Sequence, residues 1–303
     1  MPFKTIITCH ETASHLDTPD WVFVDCRTSM ADREYGYRSY QQSHLPHAVY
    51  AGLDDDLSGP VIPGITGRHP LPSRDQLVAL INRLGIGNTT QVVVYDEQAG
   101  QMAAARLWWL LNWAGHEAVA VLDGGFHHWQ TLGLPTESGD HQNRPSAFSA
   151  NFRDRLLVKA DDVSAALADP SVVLVDSRAA DRYRGENEII DPVAGHIPGA
   201  VSSPFGETIA ADGTMKPSLL LTEHFRRRGI SSDRHPIFYC GSGVTAAQNI
   251  LAYTHAGLGM PRLYAGSWSD WITDRTRPVA GGDEPGEQRN HYTLACRADQ
   301  PTG

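Results

Sequence analysis

The chain has 303 residues, 41% of them hydrophobic, and a formal net charge of -10. This length allows two domains of ordinary size, and the apolar fraction is sufficient for buried cores. The acidic balance argues against nucleic acid as the main partner, but local arginines could still bind a small anionic substrate.

The beginning of the chain and its cysteines predict a soluble cytoplasmic protein that does not enter a membrane. Residues 1–10 lack the apolar segment of a signal peptide. The most apolar helical stretch, residues 102–113, contains Arg106 and is too short to cross a bilayer. The cysteines form no CxxC pair and no zinc spacing, which is typical of a reducing compartment with one working thiol. They are Cys9, Cys26, Cys240 and Cys296. The histidines show no metal-binding spacing, and we expect neither a metal nor a cofactor.

The predicted elements occur twice in the same order. Each copy has a strand ending in Asp-x-Arg, a turn containing His-x-Pro, a helix followed by Gly-Ile and a second strand, and a turn with spaced aromatic residues. The first copy places them at residues 21–27, 44–49, 75–96 (helix 75–84) and 122–129. The second places them at residues 172–178, 196–201, 222–240 (helix 222–228) and 264–271. Four matches in one order indicate a duplicated domain.

Strands alternate with helices in each copy, which predicts an α/β fold. We expect two tandem domains, each a mainly parallel sheet with helices on both faces. The N-terminal domain is assigned to residues 1–135 and the C-terminal domain to residues 156–290. Residues 136–155, rich in proline, glycine and polar side chains, are the predicted linker, and residues 291–303 are a tail.

Cys240 lies at the end of the apolar strand 237–240, directly before Gly241-Ser242-Gly243 and a predicted helix at residues 244–253. Parallel α/β sheets bind ligands at the carboxyl ends of their strands. A glycine loop can turn its N–H groups towards an anion, and the start of a helix adds positive partial charge. A cysteine in this setting is expected to carry a reactive thiolate. The alternative is a buried structural cysteine.

The first copy has Asp96 at the position of this cysteine and Glu-Gln-Ala-Gly at residues 97–100. It therefore lacks the thiol and the same glycine loop, and an acidic loop should repel an anion. We expect the first domain to be catalytically silent and to form one wall of the cleft.

These motifs resemble the rhodanese superfamily over nearly the whole chain. The Cys-Gly-Ser-Gly-Val-Thr loop at residues 240–245 is similar to that of its 3-mercaptopyruvate sulfurtransferases. Thiosulfate sulfurtransferases of the vertebrate type carry basic residues there. The resemblance implies that Cys240 takes a sulfur atom from a small-molecule donor as a persulfide and passes it to a thiol or cyanide. A thioredoxin-like reductant is a further candidate acceptor. The residues expected to hold the persulfide or donor are Gly241, Ser242, Gly243, Val244 and Thr245.

The resemblance also implies roles for residues outside the loop. Asp181-Arg182-Tyr183 is similar to a family segment whose arginine binds the donor anion, and Arg184 is an alternative on the same loop. The mercaptopyruvate enzymes usually have a second arginine before the His-Ile-Pro-Gly turn, but residues 189–193 contain none, which should weaken carboxylate binding. Asp54 and His69 match an Asp–His pair that would couple to Ser242 in a proton relay.

Four functions remain open at this point. A sulfurtransferase that uses 3-mercaptopyruvate is favoured, and thiosulfate:cyanide transfer is its alternative. A cysteine phosphatase or arsenate reductase of the same fold would need an arginine six residues after the cysteine, where this chain has Ala246. The last alternative is a non-catalytic or redox-sensing module.

Overall fold

The computed structural model describes residues 2–285 and contains two five-stranded sheets. In the first sheet the strands lie in the order β1-β5-β4-β2-β3 and every pairing is parallel. Its strands are β1 (Ile6–Ile7), β2 (Trp21–Asp25), β3 (Val49–Tyr50), β4 (Gln91–Tyr95) and β5 (Val119–Leu122). The continuous apolar character of β2 and β4 reflects burial on both faces, as parallel sheets require.

The second sheet has the same parallel arrangement, in the order β6-β10-β9-β7-β8. Its strands are β6 (Leu157–Val158), β7 (Val172–Asp176), β8 (Val201–Ser202), β9 (His235–Tyr239) and β10 (Arg262–Tyr264). Two sheets with one topology confirm the predicted α/β fold of two tandem domains. The final residues of the proposed second domain, 286–290, and the tail at 291–303 lie outside the described residues.

Helices surround both sheets. Those of the first half are α1 (Cys9–Ala13), α2 (Tyr35–Gln42), α3 (Arg74–Arg83), α4 (Ala103–Trp113) and α5 (Gly125–Thr131). Those of the second half are α6 (Ala160–Ala166), α7 (Ala180–Arg184), α8 (Ser218–Arg227), α9 (Thr245–His255) and α10 (Ser267–Trp271), and short 3-10 turns cover Asp154–Leu156 and Phe205–Thr208. Among residues 2–285, none of these helices is both long and apolar enough to cross a membrane.

Helix α8 begins earlier than its predicted start at residue 222. Pro217 occupies the N-cap position, where its missing N–H costs nothing, and the helix starts at Ser218. Leu221 and Phe225 then lie one turn apart and both are buried. The apolar spacing therefore fits the longer helix, and the sequence prediction missed its first turn.

The two halves pack through α4 and α9. Every residue of α4 is buried, and one hydrophobic cluster includes apolar residues of both helices. This explains why α4 is apolar on all sides, since it is covered by its own sheet and by the other domain. The packing also brings the first turns of α4 next to the loop that follows β9.

Candidate active site

Cys240 directly follows β9, and α9 begins five residues later at Thr245. The Gly243 N–H donates to Cys240 Sγ over 3.1 Å. Gly243 has φ +78°, and a Cβ at this position would lie 2.3 Å from the carbonyl oxygen of Ala265. The loop can therefore turn this N–H towards the sulfur only because residue 243 is glycine.

The start of α10 fixes the rest of the loop. The Cys240 N–H donates to Ser267 Oγ over 3.1 Å. The N–H groups of Trp268 and Ser269 donate to the carbonyls of Cys240 and Gly241 over 3.0 and 2.9 Å. These bonds satisfy the carbonyl groups of Cys240 and Gly241 and tie the loop to α10, while the N–H of Gly243 donates to the sulfur.

The other described cysteines are poor candidates for a nucleophile. Burial and the nearby Asp123 raise the pKa of Cys9 to about 12. Burial and the adjacent Asp25 raise the pKa of Cys26 well above its ordinary value. Both thiols therefore stay protonated at neutral pH, whereas Cys240 has an N–H donor at its sulfur. Cys296 lies outside the described residues.

Two arginines meet at the mouth of the loop. Arg182, on α7, donates to Glu188 Oε1 over 2.8 Å and to Asp191 Oδ2 over 3.1 Å. Arg68, from the first domain, forms an ion pair with the other oxygen of Asp191. A Cβ added to Gly241 would lie 2.7 Å from Arg68 Nη2 and 3.6 Å from Arg182 Nη1. Both guanidinium groups therefore lie beside the residue that follows Cys240.

Arg68 corrects the expectation of a single arginine at this site. Residues 189–193, before the His-Ile-Pro-Gly turn, contain Asp191 and no basic residue. In the structure the carboxylate of Asp191 binds a guanidinium from the other domain. The available signal was the position of Arg68 next to His69, which was already a candidate. Arg184 instead pairs with Glu186 and Asp283.

The candidate relay residues come together across the domain boundary. His69 Nδ1 lies 2.7 Å from Ser242 Oγ, and His69 Nε2 lies 3.5 Å from Asp54 Oδ1. Burial, with the charge of Arg106 as a second cause, lowers the pKa of His69 to about 4, so the imidazole is neutral near pH 7. The Asp54 carboxylate favours the proton on Nε2, which leaves Nδ1 to accept the hydroxyl proton of Ser242.

The remaining loop residues have other contacts. The Ser242 hydroxyl is bound to His69. Val244 is buried at the N-cap of α9, and Thr245 is its first residue. Within residues 2–285, Gly243 provides the one hydrogen bond that Cys240 Sγ receives.

The loop of the first domain also forms a cradle of backbone N–H groups, and here the cradle holds Asp96 at the position that matches Cys240. The carboxylate of Asp96 accepts N–H groups from Gln98, Gly100, Met102 and Ala104 over 2.9–3.2 Å. Burial raises the pKa of Asp96 to about 6. The loop of the first domain thus binds its own side chain where the second domain has the cysteine sulfur.

The duplicated fold has a family match in both halves. The rhodanese-like domain model matches residues 8–132 and 159–274. The chain belongs to the rhodanese-like domain family. It is 45% identical to a probable 3-mercaptopyruvate sulfurtransferase of Pseudomonas aeruginosa, over 93% of this chain and 100% of that protein. It is 38% identical to a putative thiosulfate sulfurtransferase of Mycobacterium tuberculosis, over 92% of this chain and 98% of that protein.

A solved structure of the family agrees with this assignment. The crystal structure of a 3-mercaptopyruvate sulfotransferase from Escherichia coli has a TM-score of 0.77 and 31% identity, and the match covers 88% of this chain and 100% of that one. The rhodanese protein described here is therefore a sulfurtransferase, as its motifs predicted.

Proposed function

We propose that this enzyme moves sulfur from 3-mercaptopyruvate to a thiophilic acceptor through a persulfide on Cys240. The observation that carries the proposal is the surroundings of Cys240 Sγ. The Gly243 N–H reaches the sulfur, and the guanidinium groups of Arg68 and Arg182 lie at the adjacent residue, Gly241. The names of the Pseudomonas and Escherichia relatives support this donor.

The charge at the cleft mouth suits a donor with a single carboxylate. Arg68 and Arg182 share the buried carboxylates of Glu188 and Asp191, so much of their charge is already balanced. A monocarboxylate needs one charge-assisted site and a hydroxyl or N–H for its carbonyl oxygen. A doubly charged thiosulfate would need more uncompensated positive charge beside the sulfur.

The first half-reaction breaks the carbon–sulfur bond of the donor. The Cys240 thiolate attacks the sulfur atom of 3-mercaptopyruvate, an S–S bond forms, and the bond electrons leave on carbon as the enolate of pyruvate. The proton that was on the donor thiol is transferred to that carbon, which leaves pyruvate and the persulfide anion. Ser242, bound to neutral His69, is placed to carry this proton.

The second half-reaction returns Cys240 to the thiolate. Attack of a dithiol on the outer sulfur leads to an acceptor disulfide, hydrogen sulfide and free enzyme, and cyanide would take the outer sulfur as thiocyanate. We propose a small thiol, cyanide or a thioredoxin-like reductant as acceptor. The described cysteines are all free, which fits a reducing cytoplasm.

Thiosulfate is the second candidate donor, because the Mycobacterium relative is named a putative thiosulfate sulfurtransferase. Steady-state kinetics with both donors and one dithiol acceptor separate the candidates. We expect a higher kcat/KM for 3-mercaptopyruvate and no turnover in Cys240→Ser. Cys9→Ser is the matched control, because a hydroxyl can replace the thiol that lies 3.4 Å from the Asp123 carbonyl oxygen. A higher kcat/KM for thiosulfate would overturn the choice of donor.

A further inference from the structure

Arg106 is a completely buried arginine on α4 of the silent domain. Its guanidinium donates to the carbonyl oxygens of Gly243 over 3.2 Å and His69 over 3.0 Å, with longer contacts of 3.4 Å to Leu57 and Pro70. Within residues 2–285 it forms no ion pair with a carboxylate. All of its described partners are backbone carbonyls.

The other buried arginines of the described chain are paired differently. Arg27 lies against Asp25 in the first domain, and Arg178 lies against Asp176 in the second. A charge buried without a counter-charge is strongly unfavourable, so folds normally provide one. Arg106 is the exception among the described buried arginines, and the loop that it binds carries the sulfur of Cys240.

One glycine connects Arg106 to the sulfur. The N–H of Gly243 donates to Cys240 Sγ, and its carbonyl accepts from Arg106 Nη1. The same guanidinium holds the carbonyl of His69, whose ring binds Ser242. Arg106 therefore fixes the backbone of the sulfur cradle and that of the relay residue, which come from different domains.

We propose that Arg106 is the buried counter-charge and positioning residue of the Cys240 sulfur, supplied by the silent domain. Its charge stabilises the thiolate and the persulfide anion, and its hydrogen bonds hold Gly243 and His69 in place. The proposal deepens the proposed function and rests on it for the persulfide. The effect on the free thiolate does not depend on the identity of the donor.

Burial lowers the pKa of Arg106 to about 10, which still leaves it charged at neutral pH. Other charged or titratable groups surround the same loop. They are Arg68 and Arg182, their partners Glu188 and Asp191, and His69 with Asp54. In the wild type, burial and the charge of Arg106 lower the pKa of His69 to about 4, and burial, the larger cause, is retained in Arg106→Met.

The test measures the rate at which iodoacetamide alkylates Cys240 as a function of pH, in Arg106→Met and Arg106→Lys. A nearby opposite charge favours the ionised form of a thiol, typically by roughly one pKa unit or more. We expect the alkylation midpoint to move up by about one pH unit in Arg106→Met and by less in Arg106→Lys, because lysine restores the charge. Persulfide formation should slow about tenfold in kcat, with a smaller change in KM.

Leu107→Ala is the matched control, because Leu107 is the next residue of α4, is fully buried and carries no charge. It should lower thermal stability and leave the alkylation midpoint unchanged. A midpoint in folded Arg106→Met within about 0.3 units of wild type overturns the proposal, as does an equal shift in Leu107→Ala. These results need no donor, so they are independent of whether 3-mercaptopyruvate is the substrate.

A second measurement covers the case in which Arg106→Met does not fold. Thermal unfolding of wild type and Cys240→Ser is followed from pH 5.5 to 8.5. A thiolate stabilised in the folded state makes the unfolded chain bind more protons, so wild type gains stability with rising pH. We expect the difference in unfolding temperature between the two proteins to widen as the pH rises. A difference that stays constant contradicts the stabilisation of the thiolate by a buried counter-charge.

Discussion

Replacing Arg68 by methionine tests the guanidinium that the first domain contributes to the cleft mouth. Arg68 and Arg182 bind opposite oxygens of Asp191, and both reach Gly241. Without Arg68, the buried Asp191 retains Arg182 alone and competes more strongly with the donor for it. One lost charge-assisted contact costs about 1.5–3 kcal/mol, or roughly ten- to a hundredfold in kcat/KM for 3-mercaptopyruvate.

The assay is pyruvate formation at steady state with a fixed dithiol acceptor. Arg184→Met is the matched control, because Arg184 lies on α7 together with Arg182 but pairs with Glu186 and Asp283. We expect the control to stay within about twofold of wild type, as surface substitutions usually do. A kcat/KM for Arg68→Met within that same twofold, or equal losses in both variants, would refute the reasoning.

Three further predictions concern pH and backbone geometry. Burial lowers the pKa of His69 to about 4 from 6.5, so the stability of the protein should fall as the pH falls through that window. His69→Gln should flatten this pH dependence in thermal unfolding and should lower kcat. An unchanged pH dependence in the variant would contradict the prediction. Burial raises the pKa of Asp96 to about 6 from 3.8, so its contribution to stability is lost as pH rises through that window. Asp96→Asn should remove that dependence while sulfur transfer persists, and a folded variant without transfer would contradict the silent role. Gly243→Ala should abolish turnover, because the Cβ would meet the Ala265 carbonyl at 2.3 Å; wild-type kinetics would show that the cradle is dispensable.

The duplicated fold could be predicted because its signals are local. The strand ends at Asp25 and Asp176 and the aromatic turns after β5 and β10 recur in one order. Cys240 was identified in the same way, since a strand, a glycine loop and a helix follow one another directly. The predicted helices at residues 75–84, 102–113 and 244–253 agree with α3, α4 and α9 within two residues at each end, although the first turn of α8 needed the N-cap role of Pro217.

The residues that sequence reasoning missed depend on packing between the domains. Arg68 and Arg106 belong to the first domain, yet both lie beside the Cys240 loop of the second. Nothing local to Arg106 indicates a sulfur site, because a charge within an apolar helix argues only against a membrane span. The Asp96 cradle was missed for a different reason, since side-chain identity alone does not show where backbone N–H groups point.

The central claim is that Cys240 carries the sulfur atom between donor and acceptor. The most direct test is a single turnover of the purified enzyme with 3-mercaptopyruvate and no acceptor, followed by intact-mass and peptide mass spectrometry. The account predicts the added mass of one sulfur atom on the peptide containing Cys240, one pyruvate per enzyme, and loss of the added mass when a dithiol is supplied. Pyruvate release without sulfur on Cys240, or sulfur on another cysteine in a protein that turns over normally, would contradict it.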